Sequence, residues 1–323
     1  MGIEDWAMVI GPGTDIDQVL LAEATAAAPP GVVEGGKVLP RRKPENPECV
    51  FCGSTSEISR EHIPPRSAGN SFAGWEHTAA DWLERESLDD FGKKGSHIQG
   101  GVWGYVLCRT CNSRTSRLSA GYVEVAERAV GLLGQLPSVD VLNAEAHSRE
   151  LSCVLKGVRP GLFVRQLLSH MLVLGSPWGL VGRHPELVDS VLNGTAVALP
   201  SQMSIGMVLC PGPYGLSSGP MLHIDSDLRR WRWFVELTHP PLGFEFVLAS
   251  SDPAPFSPVT GMQGFLEVEE SYRADISGNL CVGLKNTGFP GDWRTRTQIE
   301  NRLNLDGTTQ EPGLHNYSDD GTI

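Results

Sequence analysis

Two Cys-x-x-Cys pairs stand on either side of a single Glu-His dipeptide. The pairs lie in CVFCG, residues 49–53, and CRTCN, residues 108–112, and the dipeptide lies in EHIPP, residues 61–65. A Cys-x-x-Cys turn presents two thiolates to one metal ion, and two such turns complete the tetrahedron that zinc prefers. The spacing therefore predicts one structural zinc ion held by Cys49, Cys52, Cys108 and Cys111. The alternative is four reduced cysteines that pair only by chance.

A zinc ion with four thiolate ligands is closed and cannot activate water. It explains a fold, so any chemistry must come from the residues that it brings together. The pairs are separated by 55 residues, more than the roughly 15–20 of a compact zinc ribbon, so a long insertion must be tolerated. One shared ion would bring Glu61 and His62 near Asn112, which follows the last cysteine.

The pattern CVFCG, SREHIPPRSAGN and LCRTCNSRTSR resembles the HNH endonuclease superfamily, in its variants with C-x-x-C, E-H-I-x-P and C-x-x-C-N. The resemblance covers about residues 47–120, a quarter of the chain. It implies a zinc-stapled, treble-clef-like ββα-metal unit, a hairpin followed by a helix. It also implies cleavage of phosphodiester bonds with one divalent cation.

Carried over position by position, the resemblance makes His62 the general base and Glu61 a ligand of the catalytic metal. Asn112 takes the place of the motif's final histidine. Asn70 is the preferred candidate for the central asparagine, which braces the loop that carries the base, and His97 is a remote alternative. An ordinary histidine pKa of about 6.5 suits a base that acts near neutral pH. Carboxylate and amide oxygens suit Mg²⁺ or Mn²⁺.

The chain carries 38 acidic and 26 basic residues, a net charge of −12. Residues 49–118 hold eight of each, so the excess of acid lies elsewhere. Arg109, Arg114 and Arg117 occupy a stretch without acids and are predicted to bind nucleic acid phosphates. The resemblance favours DNA as the substrate.

A different class of protein stays open, a non-catalytic zinc module that binds nucleic acid or a protein partner. In that case His62 is a structural imidazole, and Asn112 caps a helix that begins at Ser113. The acidity of the chain favours this alternative. No apolar run approaches the roughly 20 residues of a membrane helix, and the N-terminus is acidic. We therefore predict a cytoplasmic protein without a membrane partner.

The organisation predicted for the chain has four parts. Residues 1–46 form a helix and a linker, and residues 47–136 form the zinc module with its inserted loop at 73–105. Residues 137–305 form an α+β domain of unknown role, and residues 306–323 form a flexible tail. The fold class is thus α+β, the HNH-like module being followed by a helical segment and a domain with an antiparallel sheet.

Three elements are predicted in more detail. Residues 159–175, with Pro-Gly at the start and Gly at the end, indicate a core helix. The stretch after CRTCN indicates a helix that is interrupted or restarts near Gly121. RWRWFVELTHPPLGFEFVLAS, residues 230–250, indicates two strands joined by a Pro-Gly turn, with Arg230 and Arg232 solvated on the polar face.

Overall fold

The structure is a computed structural model, and it describes residues 8–9, 18–27, 39–71, 74–76, 96–133, 149–209, 216–217, 219–225, 230–251 and 260–282. Residues 28–38 of the predicted N-terminal helix and linker, the middle of the insertion at 77–95 and the tail at 306–323 lie outside the described residues. The division of the chain into four parts stays a prediction.

Six α-helices are found in the described part of the chain. They are α1 (Gln18–Ala27), α2 (Arg109–Thr115), α3 (Ser119–Leu133), α4 (Pro160–Leu174), α5 (Leu180–Arg183) and α6 (Pro185–Asn193). Short 3₁₀ turns cover Arg66–Ala68, Ser116–Leu118, Ser176–Trp178 and Gln263–Glu267. None of these helices is long and apolar enough to span a membrane.

The strands in the described part of the chain form one large sheet and two short, two-stranded sheets. They are β1 (Met8–Val9), β2 (Ile58–His62), β3 (Gly74–Glu76), β4 (Ser96–Ile98), β5 (Trp103–Cys108), β6 (Arg149–Val158), β7 (Ser204–Leu209), β8 (Leu216–Ser217), β9 (Met221–Asp225), β10 (Arg230–His239), β11 (Leu242–Ser250), β12 (Thr260–Gly261) and β13 (Ala274–Val282). The large sheet has the order β1-β9-β10-β11-β7-β13-β6, with β8 beside β10 and β12 beside β7.

Most neighbours in this sheet are antiparallel; β1 with β9 and β13 with β7 are the parallel pairs. The two short sheets are β2 with β5 and β3 with β4, both antiparallel. The β2–β5 pair is called the hairpin below, although β3 and β4 lie between its strands in the sequence. The predicted α+β class with an antiparallel sheet is therefore confirmed.

Helix α4 is the central element of the core, as its sequence predicts. All fifteen of its residues are buried, Pro160 occupies its first turn and Gly175 follows its end. Tyr122 on α3, Phe163 on α4 and Phe244 on β11 contact one another with ring centroids 5.8–5.9 Å apart. One continuous cluster of buried side chains reaches from Cys49 to Ile276, so the cysteine region shares its core with the large sheet.

The helix after CRTCN is interrupted and restarts at Ser119, near Gly121, as the sequence predicts. The break is the 3₁₀ turn Ser116–Leu118, and Gly121 lies inside α3. A Cβ atom at Gly121 would lie 2.6 Å from Cβ of Leu162 and 2.7 Å from the amide nitrogen of Phe163. This glycine therefore permits close packing of α3 on α4, which a sequence pattern cannot distinguish from a break.

The strands predicted at 230–250 are confirmed as β10 and β11, but the solvated face is wrong. Arg232 is only 6% exposed, and its Nη1 donates to Oε1 of the buried Glu245 at 2.6 Å. The guanidinium also lies over the ring of Phe234, 4.8 Å from its centroid. Both faces of β10 are buried, so the arginine is neutralised across the strands instead of being hydrated.

Candidate metal centre and active site

The residues of the Glu-His segment form a hairpin that leads directly into a helix. Strand β2 pairs with β5, placing Glu61 opposite Gly104 and His62 opposite Trp103. Strand β5 ends at Cys108, and α2 begins at Arg109 with Cys108 as its N-cap. A ββα order is thus present, and the helix begins four residues earlier than Ser113. Asn112 is therefore not its N-cap.

The four cysteines of the two pairs come together at the junction of the hairpin and α2. Their sulfur atoms all lie within 4.8 Å of one another, and Sγ of Cys52 is 3.8 Å from Sγ of Cys108. A zinc–sulfur bond of about 2.3 Å in a regular tetrahedron corresponds to sulfur–sulfur distances of about 3.8 Å. The cluster thus has the dimensions to hold a metal ion such as zinc.

Backbone hydrogen bonds fix the first cysteine pair against the hairpin. The amide of Gly53 donates to the Cys49 carbonyl at 2.8 Å, and Gly53 has a φ of +68°, which favours glycine. The amide of Val50 donates to the Val106 carbonyl of β5 at 3.0 Å. The turn of the first pair is therefore anchored to the strand that leads into the second pair.

The thiols of the cluster differ in acidity. Burial raises the pKa of Cys49 and of Cys111, and the neighbouring thiols add to the rise at Cys111. Burial alone would also raise the pKa of Cys108, but hydrogen bonds from the Cys111 amide and the neighbouring thiols outweigh it and lower that pKa. Deprotonating all four thiols requires a cation among them, which agrees with a metal site.

Glu61 is a buried carboxyl group that has no counter-charge among the described residues. It is 7% exposed, and burial raises its pKa to about 8. Within the described part of the chain, its side chain has neither a hydrogen bond nor an ion pair. Burying an ionised carboxylate without a partner is unfavourable, so a bound cation would stabilise this group strongly.

His62 is the next residue on β2 and is half-buried. Its Nε2 lies 3.1 Å from the Gly100 carbonyl oxygen, and if Nε2 donates there, Nδ1 is the basic nitrogen of the neutral ring. Burial lowers the pKa of His62, and the positive charges of Arg66, Arg60 and Arg41 lower it further. The hydrogen bond with the Gly100 carbonyl acts in the opposite direction and raises this pKa. The imidazole is therefore neutral at pH 7, as a general base must be.

Asn112 joins α2 to β2 beside Glu61. Its Nδ2 donates to the Arg60 carbonyl at 2.7 Å and to the Ser59 hydroxyl at 2.9 Å. These bonds fix the orientation of the amide, and its Oδ1 has no partner among the described residues. An amide oxygen in this state can serve as a ligand for a hard cation.

Asn70 connects the two ends of the loop region behind His62. It is fully buried; its Nδ2 donates to the carbonyls of Pro64 at 2.6 Å and Val102 at 2.8 Å, and its Oδ1 accepts from the Val102 amide at 2.6 Å. This is the bracing contact expected of a central asparagine. The alternative, His97, is exposed on β4.

The three arginines predicted to bind nucleic acid do not share one environment. Arg109 is exposed and lies 3.4 Å from the carboxylate of Glu57. Arg114 donates to Oδ1 of Asn193 at the end of α6. Arg117 donates to both carboxylate oxygens of Glu270, at 2.7 and 3.2 Å, and to the Val191 carbonyl at 2.9 Å. The last two therefore fasten α2 and the 3₁₀ turn that follows it to the rest of the molecule.

The charges nearest to His62 were missed by sequence reasoning. They are Arg41, Arg60 and Arg66. Arg60 and Arg66 flank the EHIPP segment, so their position in the sequence was an available signal. Arg41 lies before the first cysteine pair, and only the fold brings it to the hairpin.

The fold and the site together define an α+β protein with a four-cysteine cluster that could hold a metal ion. Comparison of the chain with protein families, with curated proteins and with solved structures returned no match.

Proposed function

We propose that this protein is a metal-dependent, HNH-type endonuclease that hydrolyses phosphodiester bonds in DNA. The observation that carries this function is the pair of hydrogen bonds from Asn112 to the Arg60 carbonyl and the Ser59 hydroxyl. They fix the residue after the last cysteine against the strand segment that leads into Glu61 and His62. A carboxylate and an amide oxygen must be held in this way if they are to share one cation.

Each residue has a separate task in this mechanism. His62, neutral at pH 7 and oriented by the Gly100 carbonyl, would remove a proton from the attacking water through Nδ1. Glu61 and Asn112 would hold Mg²⁺ or Mn²⁺ through oxygen atoms. The cation supplies charge stabilisation for the phosphoryl and leaving oxygens. Asn70 keeps the segment after the base in place through three hydrogen bonds.

The cysteine cluster would act only as structure in this mechanism. Four thiolates fill the coordination sphere of zinc and leave no position for water. Its contribution would be to hold β5, α2 and the turn at 49–53 together, so that the strand and the helix keep their relative position. Zinc is therefore expected to be needed for folding, and a second, harder cation for the reaction.

The test is cleavage of supercoiled plasmid DNA by the zinc-loaded protein with Mg²⁺ or Mn²⁺. We expect nicking by the wild type and a rate about 10²–10⁴-fold lower for His62→Ala, the range typical of a lost general base. His184→Ala is the matched control, because His184 pairs with Glu186 at the start of α6, and it should cleave like the wild type. Both variants should retain their zinc.

Two results would overturn the function. One is a zinc-loaded wild type that cleaves no DNA with any divalent cation, which would favour the non-catalytic zinc module. The other is equal cleavage by His62→Ala and His184→Ala, which would show that the imidazole beside Glu61 takes no part in the reaction.

A further inference from the structure

Arginine and aromatic side chains alternate on the face of the hairpin that carries His62. The guanidinium of Arg60 lies 4.5 Å from the ring centroid of Trp103, and that of Arg41 lies 5.0 Å from it. Trp103 meets Tyr105 edge-on at 5.7 Å, and Nε of Arg60 lies 3.3 Å from the Tyr105 hydroxyl. We call Arg41, Arg60, Trp103 and Tyr105 the arginine–aromatic surface.

This surface lies next to His62, the proposed base, because of the way β2 pairs with β5. Trp103 is opposite His62, and Tyr105 is opposite Arg60. Arg60 and His62 are two residues apart on β2, so their side chains lie on the same face. The carbonyls of two consecutive glycines also link Arg41 to His62. The Gly100 carbonyl contacts His62, and the Gly101 carbonyl accepts a hydrogen bond from Arg41 at 3.0 Å.

The charge of the surface is opposite to that of the chain. The described segments 39–71 and 96–108 hold five basic residues, Arg41, Arg42, Lys43, Arg60 and Arg66, and four acids, Glu45, Glu48, Glu57 and Glu61. Glu61 is buried, and none of the four acids belongs to the arginine–aromatic surface. Two arginines without an acid in this surface, in a chain of net charge −12, favour a polyanion as its ligand.

The aromatic rings explain why the arginines stay in place. Guanidinium groups stack on aromatic faces, and a ring contact restrains the side chain without consuming its charge. The contacts that Arg60 makes in the structure are with rings and a hydroxyl, whereas Arg114 and Arg117 are engaged with α6 and Glu270. The planar guanidinium of Arg60 is thus held beside His62 in an orientation set in advance.

We infer that the arginine–aromatic surface binds the phosphate backbone of the DNA strand next to the phosphodiester to be cleaved. Arg60 takes one phosphate through a two-pronged contact, which matches phosphate oxygens better than an ammonium does. Arg41, held by the Gly101 carbonyl and by the Trp103 ring, adds a positive charge beside it. Trp103 positions both arginines. This inference names the substrate contacts of the proposed site and rests on the proposed function.

The test is DNA binding, measured by fluorescence anisotropy of a labelled duplex over a range of salt concentrations. All variants carry His62→Ala, so cleavage does not interfere. Losing one phosphate contact should reduce the slope of log K against log salt by about 0.9, which corresponds to about eightfold weaker binding at 0.1 M salt. We expect this loss for Arg60→Ala and for Arg41→Ala.

Further variants separate charge from positioning. Arg60→Lys keeps the charge, so the salt slope should stay near that of the parent while the affinity falls about two- to fivefold, because lysine lacks the planar fork. Trp103→Ala removes no charge but should weaken binding about as much as Arg60→Ala. Arg128→Ala, on the exposed side of α3, removes one positive charge elsewhere and should bind like the parent. Zinc content and thermal unfolding verify folding.

The outcomes distinguish this inference from the proposed function. Binding by Arg60→Ala, Arg41→Ala and Trp103→Ala equal to that of Arg128→Ala would overturn the inference, even if the wild type cleaves DNA. Equal affinity of the parent for poly-glutamate and for DNA would overturn it too. An arginine-dependent DNA affinity in a protein that never cleaves would support the surface and remove the nuclease.

Discussion

At the scale of single residues, neighbours on one strand have opposite environments. Glu61 is buried with a pKa raised to about 8, whereas His62 is half-buried beside three arginines that help to lower its pKa. The alternation of side chains along a strand produces this difference. The sequence predicts the residue types, but the burial depends on what packs against each face.

Gly100 and Gly101 provide a sharp prediction at this scale. Both have positive φ angles, +76° and +79°, so either alanine should cost about 1–2 kcal/mol for the left-handed backbone. A Cβ atom at Gly101 would also lie 2.1 Å from Oδ1 of Asn70, whereas at Gly100 it meets only the Trp103 ring nitrogen, at 3.9 Å. Gly101→Ala should therefore be clearly the less stable variant.

Urea unfolding of the two glycine variants measures this difference. Because the backbone penalty is common to both, the excess loss in Gly101→Ala isolates the contact with Asn70. The same variant should also lose cleavage, since Asn70 can no longer hold Pro64 and Val102 together. Equal unfolding midpoints for the two variants would show that Asn70 does not brace this loop.

At the scale of elements, the sequence predicts those whose signals are local. Helix α4 and the β10–β11 hairpin lie where their apolar patterns, prolines and glycines indicate. Arg232 was misinterpreted because its partner Glu245 lies on another strand. The packing of Gly121 on α4 was missed because α4 is a distant part of the chain. The attachment of Asn112 to Ser59 across 53 residues has no local signal at all.

The four-cysteine cluster yields a prediction about the hairpin and α2 as a unit. The buried Cys111 is the second cysteine of the second pair, so Cys111→Ser should reduce bound zinc from one ion per chain to a small fraction. Structural zinc binding is worth about 10–16 kcal/mol in small domains, and its loss should unfold this region. Zinc content, thermal unfolding and plasmid cleavage should all fall together.

Cys153→Ser is the matched control for the cluster variant. Cys153 belongs to β6 and lies outside the two Cys-x-x-Cys pairs of the sequence, so this variant should keep one zinc ion per chain. A Cys111→Ser protein with full zinc content would contradict the four-thiolate site. Full stability without zinc would contradict the structural role of the metal.

At the scale of the whole molecule, the candidate site is attached to the large sheet and its helices. Arg114 of α2 contacts Asn193, and Arg117 of the following 3₁₀ turn contacts Glu270. Helix α3 packs on α4 through Gly121. The buried cluster is continuous from Cys49 to Ile276. Loosening the core around α4 should therefore affect the region that holds the proposed base and the metal ligands.

His170 in α4 provides the means to test the core by pH. It is fully buried, and its Nε2 accepts a hydrogen bond from the Gln166 side-chain amide at 2.7 Å. Burial lowers its pKa to about 3, and the charge of His239 adds to this. An unfolded histidine, with a pKa of about 6.5, binds a proton that the folded protein excludes.

Stability should consequently decrease as the pH falls from about 6.5 towards 3, because the unfolded state binds more protons throughout that interval. One such group contributes at most about 1.4 kcal/mol per pH unit.

His170→Gln lacks the titrating ring, so its free energy of unfolding should depend less steeply on pH than that of the wild type. Ser169→Ala, beside it and also buried, should shift the stability but keep the wild-type slope. Urea unfolding at pH 7, 6, 5 and 4 measures these slopes, and identical slopes for His170→Gln and the wild type would mean that His170 is not held neutral in the core.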